Sequence, residues 1–396
     1  MNSPLDAARV RPAGRGAVTW YAYLLLGYFS YILSIQGNIL PFLRDELDLT
    51  YREGSLHISA IAAGMMVVGL FGVTVIRALG RRRTLVVATL GSIAAAMLLI
   101  LAPVAVVSIG ACFLFGVLGA FIPGIGWALL SDVQGARRAI AFAEANAVAC
   151  LFSMAAPLVT GACIWVGIGW RTAILVGAAS GLCVLLAFHR TPIPHAAVSQ
   201  ATAAQRLPAA FWYYWVLIAL GVAVEFSALL WAPSYLEQGL GVDPAAASFG
   251  ATAFFVGMLI GRAGGSVLLR ALSARRLFLA ASAAVLAGFL AYRLGGDVSV
   301  ALAGLFVVGL GTALLFPLAL SFAIEAAGPA EELGSSRVML AVGFAIMLAP
   351  PLLGSIADLV GLAQALLMMP VFMGLGLVAF FLGEAQRRSA AATPAP

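Results

Sequence analysis

The chain has 396 residues, of which 63% are hydrophobic and 10% charged, with a formal net charge of +6 and a mean hydropathy of +1.06. A water-soluble domain is roughly half apolar and about a quarter charged, so this chain cannot cover a water-exposed surface and most of it must lie in lipid. All 22 basic residues are arginine, which excludes a lysine-bearing nucleotide loop, a Schiff-base lysine and a retinal-binding lysine.

A helix crosses a bilayer with about 20 mostly apolar residues. Splitting the apolar runs at charged and Pro/Gly-rich breaks predicts twelve such helices: 18–43, 55–76, 84–103, 105–131, 139–165, 170–188, 209–236, 246–269, 277–294, 298–324, 338–359 and 362–383. The first run is too long for a signal peptide's apolar core and no small-residue cleavage site follows it, so it reads as an uncleaved helix. With the N-terminus inside, seventeen arginines fall on the inner face. Four (Arg44, Arg52, Arg171, Arg293) fall on the other, and Arg262 lies within a span. The positive-inside rule then places both termini in the cytoplasm of a multi-pass inner-membrane protein.

The stretch 189–208, HRTPIPHAAVSQATAAQRLP, is the longest polar segment and reads as a cytoplasmic linker. It divides a short arm (1–17) and a six-helix half (18–188) from a second half (209–385) and a tail (386–396). Cys112, Cys150, Cys163 and Cys183 all sit in apolar runs, where thiols behave as small hydrophobes, so no disulfide is expected. His57, His189 and His195 have no metal-ligand spacing, and neither a metal nor another cofactor is expected.

The halves repeat one another. VIRALGRRRTL at 75–85 returns as LLRALSARRLF at 268–278, so that Arg77, Ala78, Leu79, Arg82 and Arg83 recur 193 residues on as Arg270, Ala271, Leu272, Arg275 and Arg276. At the same offset Gly64-Met65 matches Gly257-Met258, Phe113 and Gly116 match Phe306 and Gly309, Asp132 is answered by Glu325, and Ala156-Pro157 matches Ala349-Pro350. Ala and Gly matches are cheap in this composition; a shared arginine phrase in equivalent loops is not. It marks a duplication, and six helices per unit make the repeats parallel.

Two six-helix halves, a basic loop after the second helix of each and a mid-chain linker resemble the major facilitator superfamily, over roughly 18–385. Gly80-Arg81-Arg82-Arg83 is similar to the end of that family's loop signature G-x-x-x-D-R-x-G-R-R, and Gly169-Trp170-Arg171 is another phrase of the family. The resemblance implies an all-α membrane fold of two pseudo-symmetric bundles and alternating access to a site between them. One departure stands out: Arg77 occupies the signature aspartate's position and Ala78 that of its following arginine. In the family that acid helps lock the outward-open state. Asp132 and Glu325 remain, and pairs Arg81–Asp132 and Arg270–Glu325 are expected, either as gating contacts or as solvated charges at the inner face.

An ionisable group within a span costs about 2.5–3.5 kcal/mol on insertion scales and asks for a reason. Glu225 lies about 20 Å into the seventh helix and Arg262 about 12 Å from the inner end of the eighth. The pair reads as a protonation site with its partner or an anion-binding group, or else as a structural salt bridge. Gly257, Gly261 and Gly265 form a stripe better explained by close helix packing. On the first helix Tyr31 and Asn38, with Gln36 nearby, belong to a polar-aromatic stripe that should face protein or a water-filled cavity. Asn146 is a vestibule candidate, and Trp127, Trp231 and Phe316 are candidate aromatic walls, although interhelical bonding and interface anchoring select the same residue types.

The expected function is secondary active transport of a small polar or anionic organic solute, coupled to protons through Glu225. Efflux of a drug or metabolite by antiport is the alternative. A membrane enzyme lacks support, since H-E-x-x-H and Asp-rich motifs are missing. A transporter-like sensor would need more than the short tail, and the basic charge is accounted for without nucleic acid. Each chain supplies both halves, so a monomer should be functional in the bilayer, with solute and protons as its partners.

Overall fold

The computed structural model describes residues 16–135, 138–194 and 207–392. The expected N-terminal arm, most of the linker and the end of the tail therefore lie outside the described residues. Within them are twelve helices long and apolar enough to span a membrane. They are α1 Ala17–Leu47, α2 Tyr51–Gly72, α3 Arg81–Ile100, α4 Ala105–Gln134, α5 Glu144–Trp165, α6 Trp170–Ala187, α7 Ala209–Gly239, α8 Pro244–Gly265, α9 Ala274–Leu294, α10 Val298–Ala327, α11 Arg337–Val360 and α12 Leu362–Ser389. Helix is the form that lets a lipid-embedded backbone satisfy its own N–H and C=O groups, and no strand occurs among the described residues.

Several helices outrun the apolar stretch that announces them. The first keeps its winding through Pro41 to Leu47, because its last turn carries Arg44 and acids at the membrane edge, where hydropathy falls but helix persists. It is interrupted at Ile35, between segments Ala17–Ser34 and Gln36–Leu47. The last turn of α7, Tyr235–Gly239, widens into a π-helix. Between α2 and α3, Gly80 at φ 78 makes the turn of the basic loop, a conformation other residues rarely adopt.

The duplication is visible in the packing. A side chain at Gly64 would collide with the backbone of Phe113 and Val117, and one at Gly116 with the backbone of Ile61. In the second half Gly257 lies against Phe306 and Leu310, and Gly309 against Phe254. Each of these contacts is its counterpart displaced by the repeat offset, so α2 on α4 and α8 on α10 are the same close-packed joint. Gly261 abuts the Leu310 carbonyl on the same face, so the glycine stripe of α8 is spent on this joint.

The outer seams of the two halves are pinned by one device used in opposite directions. At the α6 start, Arg171 binds Glu46 of α1 through two hydrogen bonds of 2.9 and 2.5 Å and donates to the Ile100 carbonyl of α3. In the second half the arginine is Arg293 of α9, which occupies the position equivalent to Ile100, and it donates to the carbonyl of Ala363 at the α12 start. The arginine has changed sides, but the helices joined are equivalent.

The halves meet along α2 against α11 and α5 against α8. Near the end of the helices opposite the arginine-rich loops, hereafter the far end, Gly37 of α1 sits on the Leu229 carbonyl of α7, Gly161 of α5 on the Phe249 ring, and Gly354 of α11 on the Tyr51 carbonyl. At the arginine-rich end, Leu70 and Phe71 of α2 are exposed. The halves are thus closed together at the far end.

Candidate functional site

Glu225 and Arg262 come together. Arg262 Nη2 lies 4.0 Å from Glu225 Oε1, with side chains 40% and 20% exposed. That distance is an ion pair without a hydrogen bond. The guanidinium makes its close contact elsewhere, donating from Nη1 to the Sγ of Cys150 on α5 at 2.9 Å. Glu225 and Arg262 belong to the second half and Cys150 to the first, so the cluster straddles the seam between them. A thiol takes little of what a five-donor fork can give, and the half-open guanidinium can accept an anionic group in a planar, two-pronged manner. Asn146 is exposed one helical turn before Cys150 and so shares its face of α5.

The other candidates lie elsewhere. The Tyr31 hydroxyl donates to the Ala173 carbonyl of α6, inside the first half. Gln36 is buried in that half's interior, donating to the Ile32 carbonyl and accepting from Cys112 Sγ on α4. Trp127 packs edge-on against Phe142 in a cluster with Tyr23, Leu26 and Leu130. The polar stripe of α1 faces protein, as expected, but Tyr31 and Gln36 face the interior of their own bundle. Asn38 donates to the Ser34 carbonyl while its Oδ1 is buried without a hydrogen-bond partner. Trp231 is fully buried and tilted against the Tyr51 ring, 5.5 Å between centroids, in the closed far end. Phe316 of α10 is half-buried.

At the arginine-rich end, Arg81 contacts Asp132 at 2.5 Å. In the second half the position equivalent to Arg81 is Ala274, and Glu325 is bound by Arg387 of α12. The side chain of Arg270, its expected partner, lies outside the described residues. Arg387 also approaches Glu384, which accepts from Tyr214 of α7. Both acids are held by arginines of their own half.

Three residues escaped sequence reasoning. Asp358, in the last turn of α11, accepts from the backbone N–H groups of Tyr51 at 2.6 Å and Arg52 at 2.9 Å, at the start of α2 in the other half. The Tyr51 hydroxyl donates to Gln238 Oε1 of α7 at 2.5 Å. An acid near a helix end and a tyrosine opening a span are ordinary features; only the pairing of the halves gives them meaning.

Comparison with known proteins agrees with this geometry. The model of the Major Facilitator Superfamily matches residues 20–334 and 232–396. The chain is a multi-pass membrane protein of the transporter fold, and it belongs to the major facilitator superfamily. Similar solved structures include the nucleoside transporter NupG, with 12% identity, a TM-score of 0.74, and 93% of this chain and 98% of that one covered. The D-xylose-proton symporter follows with 13% identity and a TM-score of 0.73 over 92% and 96%. An inward-facing bacterial homolog of the human lysosomal transporter Spinster has 14% identity and a TM-score of 0.70 over 96% and 98%. Membrane protein MosC of Rhizobium meliloti is 30% identical over 137 residues, which span 35% of this chain and 34% of MosC.

Proposed function

We propose that this protein is a secondary active transporter of a small polar or anionic organic solute, working by alternating access and coupled to protons through Glu225. The observation that carries this reading is the Glu225–Arg262–Cys150 cluster, an acid and an under-used cation on the seam between two halves that are closed at the far end. Seventeen arginines against four support a cytoplasmic arginine-rich end, and on that reading the conformation is inward-facing. The proton-coupled symporter among the fold relatives supports the coupling by analogy of fold only.

The exchange follows from charge. With no solute, Arg262 serves as the counter-charge of Glu225. An anionic solute that engages the guanidinium leaves the carboxylate in a low-dielectric seam without that partner, and a bound proton restores neutrality. Solute and proton then travel together as the halves rock about the seam that Arg262 and Cys150 share.

Thermal unfolding of the purified protein with a panel of pentoses, nucleosides and small carboxylates, at about pH 5.5 and 7.5, tests the reading. A solute that binds the native state raises the melting temperature by mass action. The expected result is stabilisation by one class, dependent on pH in the wild type and independent of pH in Glu225→Gln. Equal, pH-independent stabilisation of both proteins would make Glu225 structural and end the coupling proposal.

A further inference from the structure

The start of α2 does not complete its own cap. A helix leaves its first N–H groups without intrahelical partners. Here Thr50 accepts from Glu53, Glu53 returns the bond to the Thr50 N–H, and Gly54 bonds the Thr50 carbonyl. The N–H groups of Tyr51 and Arg52 are left over, and both are taken by Asp358 of the opposite half. The equivalent helix of the second half needs no such help: α8 begins with Pro244, which has no N–H, and Asp243 accepts from Ala245 and Ala246. The position equivalent to Asp358 in the first half is Trp165, which carries no acid.

Asp358 is also badly placed for its own helix. An acid in the last turn meets the negative end of the α11 dipole, whereas the positive end of α2 lies directly across the seam. Its favourable electrostatics therefore exist only while the far end is shut. The same closure brings the Tyr51 hydroxyl to Gln238 and its ring against Trp231, and within its own half that ring lies 3.6 Å from the Arg44 guanidinium.

We propose that Asp358 is the latch of the far gate, a carboxylate that caps α2 across the seam and biases the transporter toward the state open at its arginine-rich end. The loop signature, which in the family uses an acid to favour the opposite state, has Arg77 in that acid's place. The bias of this chain is thus set from the other side of the membrane. The inference assumes two alternating states but neither a substrate nor proton coupling, and its test uses neither.

Spin labels at Ile168→Cys in the first half and Leu294→Cys in the second, both exposed at the far end, report its opening in the full chain with Cys183→Ala. Pulsed dipolar distances in the parent should show mainly the short, closed separation. Asp358→Ala should raise the population of the long separation by about three- to tenfold, the scale of a partly exposed helix-end interaction. Asp358→Asn, which keeps one acceptor without charge, should fall between, and Gln238→Ala should move it less than Asp358→Ala. If Asp358→Ala does not yield monodisperse protein, Asp358→Asn decides. Unchanged distances in well-folded Asp358 variants would overturn the latch, whatever becomes of Glu225.

Discussion

Arg262 has its two neighbours on opposite sides of a seam, an acid at 4.0 Å and a thiol at 2.9 Å. Lysine would preserve the charge but not the planar fork that reaches both. Arg262→Lys should therefore weaken binding of the stabilising solute by about tenfold, the effect of one charge-assisted contact, read as the concentration needed for half-maximal thermal stabilisation. Undiminished affinity would remove Arg262 from the site. At the far end the Arg171–Glu46 pair has bidentate geometry on half-exposed side chains. Arg171→Ala and Glu46→Ala should each lower stability by about 1 kcal/mol, and the double variant by less than their sum, because the ion pair is shared while the Ile100 and Trp170 bonds are not; fully additive losses would refute the pairing. Glu225 and Arg262 were legible in the sequence because charge in an apolar run needs a reason. The surroundings of Tyr31 and Gln36 were not: helical spacing says that a residue faces protein, not whether that protein is its own bundle or the central seam.

At the scale of helices, the close joints are set by glycines that touch backbone. Gly116→Ala or Gly309→Ala pushes a methyl into the facing backbone, which cannot move like a side-chain tip. Each should cost about 1–3 kcal/mol by overpacking and reduce the monodisperse fraction on size exclusion. Gly110→Ala and Gly124→Ala, where a methyl would meet nothing within 4 Å, should behave like the parent. Equal losses at all four would show that the joint is not tight. The span count and the purpose of the α8 stripe could be read directly, since small residues at helical spacing in an apolar run have few other uses. The interruption of α1 at Ile35 and the widened turn of α7 went unread, although Gly37 stands two residues after the first and Pro233 two residues before the second; a lone glycine or proline in a span does not say how the winding changes. The partner of Glu325 also needed three dimensions, as Arg387 sits in the stretch that the sequence reads as the cytoplasmic tail.

For the whole molecule, the duplication supplies two matched bundles and the departures from symmetry supply direction. Ala274 in place of an arginine sends Glu325 to α12, and Trp165 in place of an acid leaves Asp358 as a one-sided latch. Orientation can be checked in intact cells. In a Cys183→Ala background, a cysteine at Ile168 should react with a membrane-impermeant maleimide added outside, while one at exposed Met339 on the arginine-rich half of α11 should not; the reverse labelling would invert the assignment. The central claim is that solute and proton move together through Glu225. It is tested most directly in proteoliposomes holding a pH-sensitive dye, to which the solute found by thermal stabilisation is added. Solute-driven acidification of the lumen in the wild type, absent in Glu225→Gln while that variant still exchanges labelled solute for unlabelled, is the expected result. Solute flux with no proton movement in the wild type, or proton movement that persists in Glu225→Gln, would contradict it.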